Sequence, residues 1–569
     1  MKKIIISIGL LLAVIFVLSS CSFSSIFGST VSNSSKYEPN TTGVWDIENS
    51  PLNGAPMNET KAVYSGDKDN EAVKLYLTVN KGTGKEGNSF TLDQLNIFTG
   101  GSEVPYVDVI MQEGSEKNGP DFGLFGYGET MPNGKMTLRG NISKLEQRSY
   151  KIKLYSRGGQ WRGMTTLNLN KHLNDLSRVK NKFGYDCIEK LPDMAGFRTQ
   201  FVHLYVKDTS KSNPDNEFID YGLYTNVEQP NKDYLKSHFG NADGQMYKAE
   251  NFDFSENPSL MKNVNEEGYD QNKFNQFLSV MTGNDNEKLI NTIKSVNDYS
   301  QDIDEIVKKQ FNRDNILTYT AFNILLGNSG YATENYIIYS PKDSKTWYFI
   351  PWDLDNILLS GIGQSKNSTP DDVFGAGMFD NNIFFRRFFA KEENLKALDE
   401  KIDKVYKIIN NEFIGEQIYK YKLSVLKTIF SMPDLGNLPK DANLVDDYMD
   451  SFPLIIDNNV KLYKNNRSLP KPAYLLSADY ENGQLFFKWE TSDLLTYDIE
   501  LAKDMAFANI VRSEKNLTTA EFSMSGIPAG TYYWRVTAKD SNGQIRNPSN
   551  IYLDEFGKRH CGFLKLTVQ

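Results

Sequence analysis

The stretch 334–356, ENYIIYSPKDSKTWYFIPWDLDN, constrains the fold of this 569-residue chain more than any other. Two apolar, β-rich runs, 335–339 and 347–350, flank a turn of Pro, Lys, Asp and Ser, and this pattern predicts a β-hairpin. Asp353 and Asp355 follow the second run directly. Both carboxylates should therefore lie at the end of the hairpin.

Asp353, Asp355 and Asn335 are candidate ligands for a hard divalent cation. Asn335 opens the first strand, so its amide should lie at the same end of the hairpin as the two carboxylates. Carboxylate and amide oxygens are the ligands that such cations prefer. The alternative is that the two Asp only solvate a turn, since Asp-x-Asp pairs are common on protein surfaces.

A second candidate binding element is the strand predicted over residues 148–154, RSYKIKL. Its apolar side chains alternate with Lys151 and Lys153, so the apolar set can pack inward while both ammonium groups share the opposite face. A cationic face of this kind can neutralise the charge of a phosphate. The alternative is that the two lysines only solvate the strand.

These residues resemble the signatures of the CotH kinase family, the atypical protein kinases first met in bacterial spore coats. The resemblance covers about residues 44–464 and rests on five separated segments in the correct order. They are Arg139-Gly140-Asn141-x-Ser143, Arg148–Leu154, Gly222-x-Tyr224-x-x-x-Glu228, Gly244–Lys248, and the hairpin with its Pro351–Asp355 end. No single segment is specific, but the set is.

The resemblance implies a two-lobed kinase-like fold that transfers phosphate from ATP to protein Ser or Thr with Mg²⁺. Asp353 and Asp355 would act in catalysis and, with Asn335, hold the metal. The candidate cofactor-binding residues are Arg148, Lys151, Lys153, Glu228 and Lys248. Glu228 would lie in the hinge next to adenine. The phosphate-binding cation stays open among Arg148, Lys151 and Lys153, since the family more often has Lys where this chain has Arg148.

The chain departs from the family where a kinase carries its catalytic base. The family usually shows an Asp a few residues before Asn335, whereas Ser329 and Gly330 stand at those positions here. Neither can act as a general base, although phosphoryl transfer depends mostly on positioning and charge stabilisation. The alternative function is a catalytically inactive kinase-fold surface protein that serves as a binding or assembly scaffold.

Residues 1–21 have the pattern of an export signal. Lys2-Lys3 precede an apolar run over residues 4–18, and small residues lead to Cys21. Leu18-Ser19-Ser20-Cys21 resembles a bacterial lipobox, which implies a lipid on Cys21 and an anchor on the extracytoplasmic face of the cell membrane. An ordinary signal peptide or an uncleaved anchor is the alternative. Residues 22–43, rich in Ser, Asn and Thr, would form a tether.

The overall prediction is an α+β chain with a kinase-like domain and an all-β C-terminal domain. We predict an N-terminal β region over 44–134, the CotH-like domain over 135–464, a linker over 465–472 and a β-sandwich over 473–569. Residues 530–536, GTYYWRV, resemble the fibronectin type III fold. A helix is predicted over 172–191, with Glu189 as a candidate partner for a strand lysine. The net charge of −9 argues against a nucleic-acid partner.

Overall fold

The computed structural model describes residues 47–83, 88–100, 104–140, 147–328, 331–358, 374–439, 441, 443–491, 495–555 and 558–569. The predicted signal peptide, the lipidation site Cys21, and the positions Ser329 and Gly330 lie outside these ranges. No helix in the described part of the chain is long and apolar enough to cross a membrane.

The strands before residue 230 form a closed barrel and a separate two-stranded sheet of residues 82–83 and 89–90. They are β1 (Val73–Asn80), β2 (Gly82–Thr83), β3 (Ser89–Phe90), β4 (Val107–Ser115), β5 (Gly119–Pro120), β6 (Gly134–Arg139), β7 (Ser149–Leu154), β8 (Thr166–Asn170), β9 (Thr199–Asp208) and β10 (Ile219–Glu228). The described strands pair in the order β1-β9-β10-β8-β7-β6-β4, and β4 also pairs with β1, so the sheet returns on itself. We call this part the barrel lobe.

The interior of the barrel lobe comes from alternate positions of its strands. Leu75 on β1, Val109 on β4, Ile152 on β7 and Leu204 on β9 have no exposed surface. A short helix, α1 (Leu92–Asn96), adds Leu92 and Leu95 to this cluster. The alternation in the sequence thus correctly predicts strands with one buried face.

The barrel crosses the domain boundary predicted between residues 134 and 135. Strand β4 lies before that boundary and β6 after it, yet Val107 pairs with Met136 in one sheet. Alternation reveals a strand but not its partner, because the pairing depends on residues far apart in the chain. The N-terminal β region is therefore continuous with the kinase-like domain.

A second lobe, mostly helical, follows the barrel. Helix α2 (Lys180–Lys190) comes earlier in the chain and packs against strand β9 of the barrel. The helices of the second lobe are α3 (Lys232–Phe239), α4 (Gln271–Phe274), α5 (Glu287–Asn297), α6 (Ile303–Gln310), α7 (Arg313–Leu325), α8 (Ile383–Phe388), α9 (Glu392–Ile408), α10 (Asn411–Ile429), α11 (Asn443–Asp450) and α12 (Phe452–Arg467). A small sheet carries the strands β11 (Gly244–Ala249), β12 (Leu278–Thr282), β13 (Tyr336–Pro341) and β14 (Tyr348–Pro351). We call this part the helical lobe.

The predicted hairpin is confirmed as β13 and β14. The two strands are antiparallel, with Tyr336 opposite Pro351 and Tyr339 opposite Tyr348. Strand β11 pairs with the other side of β13. The hairpin is therefore buried inside the helical lobe, and Trp352 at its open end lies under Arg139 of the barrel lobe.

The helix predicted over 172–191 begins only at Lys180. The Asp175 carboxylate accepts hydrogen bonds from the Ser177 hydroxyl at 2.7 Å and from the backbone N–H groups of Ser177 and Lys180, each at 2.9 Å. These bonds hold residues 175–180 in a turn and delay the helix. Glu189 pairs with its neighbour Lys190 at 2.7 Å rather than with a strand lysine.

The C-terminal β region contains two sheets around one hydrophobic cluster. Its strands are β15 (Tyr474–Glu481), β16 (Gln484–Glu490), β17 (Thr496–Ala502), β18 (Ile510–Leu517), β19 (Glu521–Ser525), β20 (Gly530–Lys539), β21 (Ile545–Arg546), β22 (Ile551–Leu553), β23 (Arg559–Cys561) and β24 (Leu564–Val568). Phe487 of one sheet meets Trp534 of the other with ring centroids 5.0 Å apart. The chain is therefore α+β with a β-rich end, and the fibronectin type III assignment stays a prediction.

Candidate functional site

The open end of the hairpin is held in an unusual backbone conformation. Asn335 and Asp353 have φ values of 58° and 57°, in the left-handed region that Asn and Asp tolerate better than most residues. The N–H of Trp352 donates to the carbonyl of Asn335 at 3.1 Å and joins the two strand ends. The Asn335 and Asp353 backbones therefore lie side by side, as the sequence predicts.

A short 3₁₀ turn, Leu354–Asn356, carries Asp355 and packs against helix α2. Leu354 is fully buried, and Gly184 of α2 allows its close approach. A Cβ atom on Gly184 would lie 2.7 Å from Leu354 Cδ1 and 2.9 Å from Leu354 Cβ. The carboxylates of Asp353 and Asp355 are thus positioned by buried residues on either side of the turn.

Asp353 lies where the two lobes meet, and we call the space between Arg139 of the barrel lobe and Lys248 of the helical lobe the cleft. Its side chain is open to solvent on one side, and protein crowds it on the others. This burial, followed by repulsion from Asp355, raises the pKa of Asp353 to about 6, against the attraction of His172, Arg139 and Lys248. Two neighbouring carboxylates that repel each other are a site that a cation would stabilise.

His172 faces the second carboxylate of the pair. Its Nδ1 lies 3.7 Å from Asp355 Oδ2, and its side chain is buried. Its Nε2 is also buried and has no hydrogen-bond partner among the residues that the structure describes. His172 reaches this position because residues 171–179 form a loop instead of the predicted helix.

The ligands at this end of the cleft fit a Mg²⁺ site that water and phosphate complete, rather than a metal site made of protein side chains alone. In the described ranges, no group of three or more His, Cys, Asp and Glu could hold a metal ion. Mg²⁺ usually binds through one or two carboxylates, with waters and substrate phosphates completing its shell. Asp353 and Asp355 would supply the carboxylates. The Asn335 amide, which makes no hydrogen bond to any other described side chain, would add an oxygen.

Strand β7 of the barrel carries basic side chains on its outer face. Lys151 and Lys153 share the solvent face of β7, as predicted, while Tyr150, Ile152 and Leu154 point into the barrel. Burial and then repulsion from Arg139 and Lys153 lower the pKa of Lys151. Neither lysine makes an ion pair within the described part of the chain. This cationic face would therefore gain from an anion.

Arg139, which is not among the residues predicted from the sequence, connects this cationic face to the carboxylates. Its guanidinium donates to Asn170 Oδ1 at 2.6 Å and to Asn168 Oδ1 at 3.0 Å, and it lies 5.7 Å from the centroid of the Trp352 ring. Burial lowers the pKa of Arg139, and the attraction of Asp353 opposes that shift. The Arg-Gly-Asn-x-Ser segment was the available signal.

Arg148 lies away from the cleft. Its Nε donates to the carbonyl of Asn96 at 2.9 Å, and Tyr150 donates to the side chain of the same Asn96 at 2.9 Å. Arg148 therefore shares the side of the strand that Tyr150 occupies, opposite to Lys151. Of the three cations left open by the sequence, Lys151 and Lys153 share the other face of β7, and Lys151 is repelled by Arg139.

Lys248 approaches the carboxylates from the helical lobe. It lies on β11 opposite Ile337, and its charge lowers the pKa of Asp353 against the effect of burial. Its ammonium forms an ion pair with Glu250 at 2.9 Å. The charge of Asp353 is thus attracted by cations of both lobes, Arg139 from the barrel lobe and Lys248 from the helical lobe.

Glu228 is at the connection between the lobes, but its carboxylate is used inside the protein. Its Oε2 accepts from His238 Nε2 at 2.8 Å and from the backbone N–H of Arg198 at 3.2 Å. Strand β10 ends at Glu228, and α3 and β11 follow in the helical lobe. The hinge role of Glu228 therefore stays a prediction, and its carboxylate already accepts two hydrogen bonds from the protein.

Comparison with known proteins gives one family match. A family model described as CotH kinase protein matches residues 136–433, more than half of the chain. No curated protein matches the sequence. A chain from the Shewanella oneidensis MR-1 toxin–antitoxin complex of HipA, HipB and operator DNA is 12% identical, with a TM-score of 0.23, and the match covers 59% of this chain and 63% of that one.

Proposed function

Because the chain belongs to the CotH kinase family, we propose that it is an atypical kinase that transfers phosphate from ATP to Ser or Thr of a protein with Mg²⁺. The observation that carries this proposal is the meeting of Asp353 and Asp355 with Arg139 and Lys248 in one cleft between two lobes. A turn that merely solvates two carboxylates would not need cations from both lobes.

The residues of the cleft divide into two groups by charge. Asp353, Asp355 and Asn335 would hold a divalent cation, which would neutralise phosphate charge and so favour transfer. Arg139 and Lys151 would hold the phosphates from the barrel side. The guanidinium of Arg139 is already oriented by two Asn side chains, so little entropy is lost when it binds an anion.

We further propose that the protein acts outside the cytoplasmic membrane, anchored by a lipid on Cys21. This part rests on the Lys2-Lys3 start, the apolar run over residues 4–18 and the Leu-Ser-Ser-Cys segment. Metabolic labelling with a fatty acid would test it, since Cys21→Ser should abolish the label. Labelling that persists in the variant would contradict the anchor.

Nucleotide binding is the most direct test of the cleft. Wild-type protein should be stabilised against heat by ATP with Mg²⁺, because a ligand at a hundred times its Kd adds about 2.7 kcal/mol. Asp353→Asn keeps the shape of the side chain and should lose this stabilisation. Asp479→Asn, in the C-terminal β region, is the matched control and should behave as wild type. Absence of any nucleotide effect on the wild type would contradict the proposal.

Arg139 gives a second test of the same cleft. Arg139→Met keeps much of the side-chain volume but removes a charged donor, which costs about 1.5–3 kcal/mol of binding, or roughly 10- to 150-fold in Kd. Arg148→Met is the matched control, because Arg148 faces Asn96 on the other side of the strand. Equal losses in the two variants would show that the cleft does not select Arg139.

A catalytically inactive scaffold is the second candidate, favoured by Ser329 and Gly330 where the family usually has an Asp. Transfer of labelled phosphate from ATP to the protein itself or to a general protein substrate separates the two. Incorporation that Asp353→Asn abolishes supports the kinase. Nucleotide binding without incorporation supports the scaffold.

A further inference from the structure

A cavity of about 650 Å³ lies between the helical lobe and the C-terminal β region. Its size is within the range of pockets that bind small molecules. Its apolar walls come from both parts of the chain: the helical lobe contributes Phe374, Phe389 and Leu395, the linker contributes Leu469, and the β region contributes Leu495. It is separate from the cleft that holds Asp353.

Most charged groups on the cavity wall already have partners. Lys391 is held by Asp302 at 2.6 Å and by Asp304 at 2.7 Å. Arg467 pairs with Glu392 and with Asp399. These four ion pairs leave little free charge on that side of the cavity.

Two further charged groups on the wall, Arg546 and Asp380, also have partners within the protein. Arg546 donates to the backbone carbonyls of Asn466 at 3.0 Å and Pro470 at 3.4 Å. Asp380 is buried and accepts a hydrogen bond from the Ser549 hydroxyl at 2.6 Å. The charge of each is therefore met by a neighbouring protein group.

Lys471 is the exception among the charged wall groups that the structure describes. It makes neither an ion pair nor a hydrogen bond with another described residue. Burial is the main cause that lowers the pKa of its ammonium, and the attraction of Asp380 and Glu490 offsets that effect only in part. An ammonium in such surroundings would be stabilised by an anionic group in contact with it.

We propose that this cavity binds a small organic monoanion, with its carboxylate or sulfonate on Lys471 and its aromatic or branched apolar part against Phe374, Phe389 and Leu395. A polyphosphate does not fit this chemistry, because among the described wall residues a single cation is without a partner, and Asp380 and Glu392 stand on the same wall. The ligand class therefore differs from that of the kinase cleft. The site depends on both the helical lobe and the β region.

Fluorescence titration of the full chain with 8-anilinonaphthalene-1-sulfonate tests the site, since this probe combines one anionic group with two aromatic parts. We expect saturable binding of one probe per chain that ATP with Mg²⁺ does not displace. Lys471→Met should weaken binding at least tenfold, the loss expected for one charged contact. Lys515→Met, at an exposed position on β18, is the matched control and should bind as wild type.

A second variant protects the test against a folding defect in the first. Ala390 is exposed and lies on the wall of the cavity, so Ala390→Trp should fold normally and block the probe. The neutral analogue N-phenyl-1-naphthylamine should show no dependence on Lys471. Absence of saturable binding, equal binding by Lys471→Met and wild type, or displacement by ATP with Mg²⁺ would each overturn the proposal. The first two outcomes do not bear on the kinase cleft, whereas displacement would mean that the probe and the nucleotide share a site.

Discussion

At the scale of single residues, a buried histidine joins the lobes where the chain passes from one to the other. His238 Nδ1 lies 2.8 Å from Glu59 Oε1, and its Nε2 lies 2.8 Å from Glu228 Oε2. Both ring nitrogens face carboxylates, so both donate and the ring is an imidazolium. Lys61 approaches Glu59 from the other side, and Tyr64 donates to it.

The pKa of His238 shows that its two carboxylate partners outweigh the effect of burial. Burial lowers this pKa, but attraction and hydrogen bonds from Glu228 and Glu59 outweigh burial, so the folded pKa lies above the ordinary value. A raised pKa contributes stability that is complete below the unfolded pKa of about 6.5 and is lost as pH rises through the folded pKa. The imidazolium therefore stabilises the connection at neutral and lower pH.

We expect the stability advantage of the wild type over His238→Gln to decrease as the pH rises above about 6.5. Chemical denaturation of both proteins at several pH values between 6 and 9 measures this difference. The pKa values of Tyr64, Tyr234 and Arg198 near the site are all raised above their ordinary values, so these groups keep their charge state over this range. Their contributions to stability therefore cancel when the two proteins are compared. A difference that stays constant or grows with pH would contradict the assignment.

At the scale of elements, the contact between helix α2 and the turn Leu354–Asn356 sets the position of the acidic pair. Gly184 lies inside α2, where glycine lowers helix stability, so its presence needs a packing reason. Leu354 supplies that reason, because its Cβ would lie 2.9 Å from a Cβ on residue 184. Gly184 therefore lowers the intrinsic stability of α2 but allows the turn that carries Leu354 to pack closely against the helix.

Gly184→Ala should destabilise the protein or give no gain, because steric overlap of this kind costs about 1–3 kcal/mol. Gly415→Ala is the matched control: Gly415 also lies inside a helix, α10, and a Cβ there would meet no atom within 4 Å. The control should gain roughly 0.5–1 kcal/mol from helix propensity alone. Thermal unfolding of both variants gives the comparison, and equal gains would rule out the proposed packing.

At the scale of the whole molecule, Arg386 connects the helical lobe to the C-terminal β region. Its Nε donates to Glu490 Oε1 at 3.0 Å, and its guanidinium stacks on Tyr474 at 3.9 Å from the ring centroid. A further bond of 2.5 Å reaches the carbonyl of Asp380. The buried side chain of Arg386 thus joins helix α8 to strands β15 and β16.

Removal of this side chain should loosen the β region. Arg386→Ala leaves Glu490 and the Asp380 carbonyl without their donor, at a cost of about 1.5–3 kcal/mol. Faster proteolysis at the linker between α12 and β15, residues 468–473, would report the change. Arg512→Ala, at an exposed position on β18, is the control. Equal proteolysis rates of the two variants would contradict a role of Arg386 in docking.

The sequence by itself determined the elements whose signal is local. The hairpin, the alternating face of β7 with Lys151 and Lys153, and the adjacency of Asn335 to Asp353 follow from spacing over a few residues. The family signatures then supplied the order of these elements. Local alternation carries this information because successive side chains of a strand point to opposite faces.

Only the tertiary structure decided which side chains share the cleft. Arg139 and His172 reach the acidic pair, while Arg148 turns to Asn96 and the Glu228 carboxylate is taken by His238. The closure of the barrel by β1 and β4 was equally invisible in the sequence. In each case the partner lies far away in the chain, and its choice depends on how whole elements pack, which no pattern of neighbouring residues encodes.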